Sequence, residues 1–486
     1  MPSASFVSKI NNKKVLFGAI AVFIFPFIIF SFWNFPSADD YMIIDKRGEF
    51  TFWGLQHSIY QNWTGRYFAT FISSIFSYSG FLYSHYYLHT ILLLFLTFFA
   101  WFFFLKQVNK YVLKHNVSST SLVLLSLLLL IVEINVIPEP VTAFYWFSSA
   151  VTYQLPLVIF IFLAGIIVNL LFVSPNKTIP LVSAGILIII LNGCNEIITL
   201  FVLTNSTIVL GYYLLVRKRI PVFLTSLYAL NLVSACFLLF SPGIINRGGK
   251  LDQGSFIASI GIGFIKFIIL NWFFLKEPLW WFSLFLVVAF CSYNQNLFQH
   301  VFKDIKKLSL ASFLVLYLAS GLFLYVPVLY VTNGSLPLRA ENIICLLYSL
   351  MLIYVITSSV LPKTNLRFYQ SFYNYRYLLL SILIFSTANM KRVTDSLLSG
   401  YFYNLIMRDR LSAFENARER NEHEVTFDDY EAAVNKKLKG FPQADRQLIK
   451  DIIVKPPPII CFGDDLYDVN YMKEFYGIKK LNVIKN

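Results

Sequence analysis

The residues best suited to chemistry begin close to the N-terminus. Asp39 and Asp40 stand side by side in Phe35-Pro36-Ser37-Ala38-Asp39-Asp40-Tyr41. Two adjacent carboxylates at a helix–loop junction can hold a general base, because burial and mutual repulsion raise one pKa toward the working range. The plainer reading is that Asp39 caps a following helix while Asp40 is solvated. Further along, Tyr60-Gln61-Asn62-Trp63-Thr64-Gly65-Arg66-Tyr67 frames an arginine with aromatics. Such a guanidinium can grip a phosphate bidentately, or it can snorkel from an interfacial aromatic belt. Asn192-Gly193-Cys194-Asn195-Glu196 interrupts two apolar runs. A break of that kind is tolerated where it lines a cavity; a hairpin turn explains Asn192 and Gly193 but not the carboxylate of Glu196.

Two further arginines complete the set, Arg247 in Ser241-Pro242-Gly243-Ile244-Ile245-Asn246-Arg247 and Arg339 in Leu336-Pro337-Leu338-Arg339-Ala340-Glu341. Arg66, Arg247 and Arg339 each call for a reason on the outer side, either a bound anion or pairing with a residue such as Asp252 or Glu341, and the three together favour anion binding. Metal chemistry is not indicated. The six His form no HExxH motif, the five Cys form no CxxC, and Asp464-Asp465-Leu466-Tyr467-Asp468 lacks the Gly and terminal Glu of a calcium loop. A divalent cation is neither required nor pointed to. The segment 138–153 carries Tyr145, Trp146, Phe147 and Tyr153 with no basic residue and reads as an interfacial belt.

The elements that must position these groups are membrane helices. Of 486 residues, 57% are hydrophobic and only 14% charged, with mean hydropathy +0.63; a soluble domain is about 25% charged. Apolar runs long enough to cross about 30 Å of hydrocarbon fall at 15–33, 86–105, 120–137, 155–173, 179–193, 197–216, 221–240, 279–293, 308–326, 343–361 and 377–389. Of the net charge of +14, residues 1–389 carry +13 (24 Lys+Arg less 11 Asp+Glu) in short clusters between these runs, which is the positive-inside pattern and not the single basic face of a nucleic-acid binder. Lys9, Lys13 and Lys14 hold the N-terminus in the cytoplasm. Alternation then places Lys106/Lys110/Lys114, Lys177, Arg217/Lys218/Arg219, Lys303/Lys306/Lys307 and Lys363/Arg367/Arg376 on the same side. Segments 66–83 and 256–275 are apolar enough to mislead; making 256–275 a further pass would move the Lys303 cluster outside, so it reads as an interfacial helix. The expected architecture is therefore an all-α polytopic membrane protein of about eleven transmembrane helices. Residues 1–389 form the membrane domain, with its first outer loop at about 34–85. Residues 390–486, with 16 Lys+Arg against 15 Asp+Glu, form a small extracytoplasmic α or α/β domain that opens with an amphipathic helix at 394–422. Nearly all acids of the membrane part fall on the outer side, and ionisable groups near membrane depth are costly and usually functional.

Asp39-Asp40-Tyr41 after the first helix, Trp63-Thr64-Gly65-Arg66, Asn195-Glu196, Ser241-Pro242-Gly243 with Arg247, and a tail ending Phe475-Tyr476-Gly477-Ile478 together resemble the phage-type serotype-converting glucosyltransferases of bacterial O-antigen modification. Length and tail are similar to the type II form, and the architecture is GT-C-like. The resemblance implies a multi-pass enzyme of the bacterial inner membrane with its tail in the periplasm. It would move glucose from polyprenyl-phosphate glucose to a sugar of lipid-linked O-antigen, so modifying lipopolysaccharide, by inverting single displacement. A glucosyltransferase that makes the donor and a flippase that delivers it are the implied functional partners. The base would be Asp39 or Asp40, Asp39 lying nearer the membrane; Arg66, Arg247 and Arg339 would hold the donor phosphate, with Tyr41, Trp63, Asn195 and Glu196 as supporting polar groups. The competing readings are a flippase or transporter of lipid-linked sugar, and an O-antigen polymerase or ligase.

Overall fold

The computed structural model describes residues 12–45, 49–80, 84–115, 117–172, 178–248, 255–293, 310–360 and 375–439, and in the remaining tail 441–443, 446, 449–450, 453, 457 and 472–484. Lys9, Lys177, Asp252, the Lys303/Lys306/Lys307 and Lys363/Arg367 clusters, Cys461 and the Asp464–Asp468 acids lie outside the described residues.

The chain is mostly helical. In order come α1 Lys13–Phe32, α2 Asp39–Asp45, α3 Phe52–Asn62, α4 Tyr67–Ser79, α5 Tyr87–Tyr111, α6 Ser119–Val136, α7 Leu155–Phe172, α8 Thr178–Asn192, α9 Glu196–Tyr212, α10 Val222–Leu239, α11 Pro242–Gly248, α12 Phe256–Leu275, α13 Pro278–Tyr293, α14 Leu310–Val331, α15 Leu338–Val360, α16 Arg376–Leu383, α17 Ala388–Glu419 and α18 Tyr430–Leu438. Short polar residues begin several of them. The Asn12 side chain accepts from Lys14 and Val15 N–H at α1, and the Ser118 hydroxyl from Ser121 N–H at α6, closing donors that a helix N-terminus leaves open.

Among the described residues seven helices are long and apolar enough to cross a membrane: 13–32, 87–111, 119–136, 147–172, 196–215, 222–239 and 256–275. Shorter apolar helices at 178–192, 278–287 and 376–386 fall on three other expected runs, and one at 321–331 overlaps the end of the run expected at 308–326. Their outward faces expose Phe25, Phe95, Ile186, Phe237 and Ile268, a stripe of apolar surface that water would not tolerate and hydrocarbon does. Two difficult segments resolve differently. Helix α4 covers only 13 residues, about 20 Å at 1.5 Å per residue, and is no crossing helix. Helix α12, expected to be interfacial, is by length and composition one of the seven. It packs along α14, with the Phe256 ring 6.3 Å from Tyr330.

The tail begins on the bundle itself. Asn389 donates to the carbonyls of Ile134 (2.7 Å) and Ile137 (3.2 Å), and Arg392 donates to Pro138 O at 2.6 Å. Helix α17 carries Phe402, Tyr403, Ile406 and Phe414 to a buried face, following the expected amphipathic pattern. Beyond it, strands β1 Glu424–Asp428 and β2 Lys480–Ile484 pair in parallel, Val425 opposite Leu481, with α18 between them in sequence. The Tyr41 ring packs 5.6 Å from Phe475, so the tail rests beside the Asp39–Asp40 segment.

Candidate active site

Three motifs from distant parts of the chain are stitched together at one end of the bundle. Helix α4 needs acceptors for its first N–H groups, and the Gly193 carbonyl takes both Phe68 N–H (2.8 Å) and Ala69 N–H (3.1 Å). Gly193 lies so close to the Tyr67 ring and the Phe68 Cβ that a side chain there has no room. Gly243 sits equally close to backbone: an added Cβ would lie 2.5 Å from Thr64 N and 2.7 Å from Tyr60 O. Asn246 donates to Gln61 O at 2.9 Å, and the Tyr60 hydroxyl to Phe237 O at 2.9 Å. The glycines of Trp63-Thr64-Gly65-Arg66, Asn192-Gly193 and Ser241-Pro242-Gly243 thus allow three backbones to touch, which brings Arg66, Glu196 and Arg247 together.

The two aspartates have different surroundings. Asp40 is wholly buried and is surrounded by donors. It accepts from Ser37 N–H at 3.1 Å, the Tyr86 hydroxyl at 2.6 Å and Ser148 N–H at 2.9 Å, and from the Ser148 hydroxyl. Burial pushes its pKa up to about 6 against the pull of those hydrogen bonds. Asp39 is only partly buried. Burial raises its pKa from the ordinary value, opposed by the charges of Arg339 and then Arg66. The turn that leads into the pair passes through Ala38 at φ 43°, a left-handed conformation costly for a residue with a Cβ; the Asp40 bond to Ser37 N–H clamps it. Asp40 therefore ties the loop to the 146–148 segment and leaves Asp39 facing the arginines.

The guanidiniums also divide. Arg66 is committed to Glu196: Nε lies 3.0 Å from both carboxylate oxygens and a terminal nitrogen 2.8 Å from Oε2. Burial works against that charge, but Glu196 and Tyr153 outweigh it and hold the group above its ordinary pKa. Glu196 opens α9 in the position a carboxylate favours, behind the cap formed by Asn195, whose side chain accepts from Ile197 N–H at 2.8 Å. Arg247 and Arg339 have no ion pair among the described residues. Arg247 lies over the half-exposed Trp63 ring at 5.9 Å; burial and then repulsion from Arg66 lower its pKa, while Glu196 raises it. Arg339 lies 5.1 Å from the Trp146 ring and 5.9 Å from that of Tyr153. Glu341 is taken by Lys266 at 2.8 Å and does not neutralise Arg339. Glu139 stands near Arg339 as well, its pKa raised by burial and lowered by the Thr142 hydrogen bond, Arg339 and Arg392.

Beside this cluster runs an apolar groove of about 490 Å3 between α3, α4, α8 and α10, lined by Tyr60, Tyr67, Ile189, Leu230, Val233 and Phe237. Tyr60 and Tyr67 flank the loop that carries Arg66. A charged cluster able to bind an anion thus adjoins a surface able to hold a hydrocarbon chain.

The structure brings Asp39, Arg66, Glu196, Arg247 and Arg339 into one electrostatic neighbourhood. It places Asp40, Tyr41 and Asn195 in supporting, buried positions and Trp63 at the rim. Trp146, Tyr153 and Glu139 lie beside these groups, in the segment 138–153 whose composition reads as an interfacial belt; the arginines over those rings come from 66 and 339, far along the chain, so no local pattern reveals them. Among the described residues no group of three His, Cys, Asp or Glu is placed to hold a metal. No protein-family model, curated protein or solved structure matches the chain.

Proposed function

We propose that this chain is a GT-C-like membrane glucosyltransferase that moves glucose from polyprenyl-phosphate glucose to a sugar of lipid-linked O-antigen at the periplasmic face of the bacterial inner membrane. About eleven crossings with a cytoplasmic N-terminus and a periplasmic tail belong to this reading. The observation that carries it is the meeting, at one end of an apolar bundle, of a partly buried carboxylate and two arginines that form no ion pair among the described residues, beside an apolar groove.

The chemistry balances with those groups alone. Asp39 accepts the proton of an acceptor hydroxyl as that oxygen attacks the anomeric carbon. The bond from that carbon to the phosphate oxygen breaks, and the polyprenyl phosphate leaves with the electron pair. Arg247 and Arg339 stabilise the charge that develops on the phosphate. One displacement gives inversion. Arg66, already held by Glu196, fixes the floor of the site and adds to the field at Asp39.

The test uses purified protein in vesicles with polyprenyl-phosphate glucose labelled in the sugar and lipid-linked O-antigen as acceptor. Label is expected in the O-antigen, and a nucleotide-activated glucose is expected not to replace the donor. Label that crosses the bilayer still attached to its lipid, with no transfer, would instead identify a flippase.

A further inference from the structure

Two guanidiniums lie against one aromatic ring. The Arg66 and Arg339 Cζ atoms lie 5.8 and 5.9 Å from the Tyr153 ring centroid, and Arg339 lies 5.1 Å from Trp146 as well. Like charges at such a site repel, and a carboxylate placed to hold Arg339 would also cancel its charge. An aromatic face attracts a cation through its quadrupole and carries no net charge. The neighbours of Arg339 fit that distinction. Glu341 is paired with Lys266, Asp39 and Glu139 feel the Arg339 charge without forming an ion pair with it among the described residues, the buried Arg339 Nε has no hydrogen-bond partner among those residues, and two rings pack against the group.

The rings themselves are anchored. Trp146 is 4% exposed and donates its indole N–H to Ser37 O at 3.1 Å. Tyr153 is 7% exposed. It precedes Gln154, whose amide donates to the buried Glu133 at 2.5 Å, and Glu133 also accepts from Trp101 at 2.7 Å. Both rings sit on the bent stretch between α6 and α7, where two wide helical turns at Val141–Tyr145 and Ala150–Gln154 flank Trp146; such turns interrupt regular helices and often mark functional positions. The same stretch supplies Ser148 to Asp40. One segment therefore sets both the aspartate loop and the arginine platform.

We propose that Tyr153 and Trp146 are positioning residues of the phosphate site: their faces hold Arg339 beside Arg66 while leaving its charge and outward N–H groups for the anion. This rests on the reading of the cluster as a phosphate site. The platform predicts a preference for a phosphate-headed lipid over the matching alcohol that depends on ring electronics and not on ring size.

The experiment measures binding of farnesyl phosphate, with farnesol as the uncharged control, to the purified full chain. Position 153 carries Tyr, Phe, or phenylalanines bearing one, two or three ring fluorines. These keep the shape of the ring, and thermal unfolding checks that the variants are folded. Tyr153→Phe is expected to bind farnesyl phosphate within about threefold of the parent, and the trifluorinated ring about tenfold more weakly, in graded steps, as expected for a desolvated cation–π contact. Farnesol affinity is expected to stay constant, and Trp146→Phe to weaken only the phosphate. Equal binding across the fluorinated series, while Arg339→Gln still loses the phosphate, would overturn the platform and leave the phosphate site standing. A parent chain that binds farnesol as tightly as farnesyl phosphate would remove the phosphate site itself, and the platform with it.

Discussion

Replacing Glu196 by Gln is expected to destabilise the protein more than replacing Glu196 and Arg66 together. The pair makes three hydrogen bonds at 2.8–3.0 Å, with both side chains 21% exposed. Removing one partner of a fully buried pair costs about 3–5 kcal/mol, because the other charge is left uncompensated. Partial exposure reduces that here to about 2–3 kcal/mol. The remaining guanidinium is also repelled by Arg247, whose lowered pKa already registers Arg66. In the double variant Arg66→Met, Glu196→Leu, no unpaired charge remains, and such swaps are often close to neutral. With each single replacement costing about 2–3 kcal/mol, the coupling energy is about 4–6 kcal/mol, readable by denaturant unfolding of the parent, Arg66→Met, Glu196→Leu and the double variant in mixed micelles. Single variants as stable as the parent, or a double variant with the summed loss of both, would refute the claim that this pair acts as a closed unit and leaves Arg247 and Arg339 to meet the anion.

Asp40 gives a pH-dependent outcome. Its folded pKa of about 6 lies above the unfolded value, so the native state binds the extra proton. Stability from this group is fully present below the ordinary Asp range and is lost as pH rises through 6, by about 3 kcal/mol in all. Asp40→Asn is expected to abolish that difference between pH 4 and 6.5 in unfolding measurements; an unchanged slope would contradict the assignment. Gly243→Ala forces a Cβ against Thr64 N and Tyr60 O and is expected to lower stability by about 2 kcal/mol or more, in the range of overpacking, and to raise the donor KM. Wild-type behaviour on both counts would show that α11 does not dock as described. Arg339→Gln removes a charge that holds the Asp39 pKa down, so the acid limb of kcat/KM is expected to move to higher pH, and less so in Arg339→Lys. A stationary limb would separate Arg339 from the base.

The helices were legible because an apolar run of the right length has few alternatives in a membrane, and the tail helix because its apolar positions recur at helical spacing. Helix α12 resists such reading: charge alternation around the Lys303 cluster points to an interfacial helix, and the pairing of its Lys266 with Glu341 joins residues remote in sequence. Within the site, the residue types were visible and their roles were not. Nothing local distinguishes Asp39 from Asp40; the donors that commit Asp40 come from Ser148 and Tyr86. Arg66, Arg247 and Arg339 look alike until Glu196 is seen to take the first. Tyr153 and Trp146 gain their place only from cations brought by other segments.

The most direct test is transfer by purified Asp39→Asn protein from labelled polyprenyl-phosphate glucose, run beside the parent and Asp39→Glu. A general base contributes about 10²–10⁴-fold, so Asp39→Asn is expected to lose at least about a hundredfold in kcat while still binding the donor, and Asp39→Glu to keep measurable transfer. Parental turnover by Asp39→Asn would contradict the account.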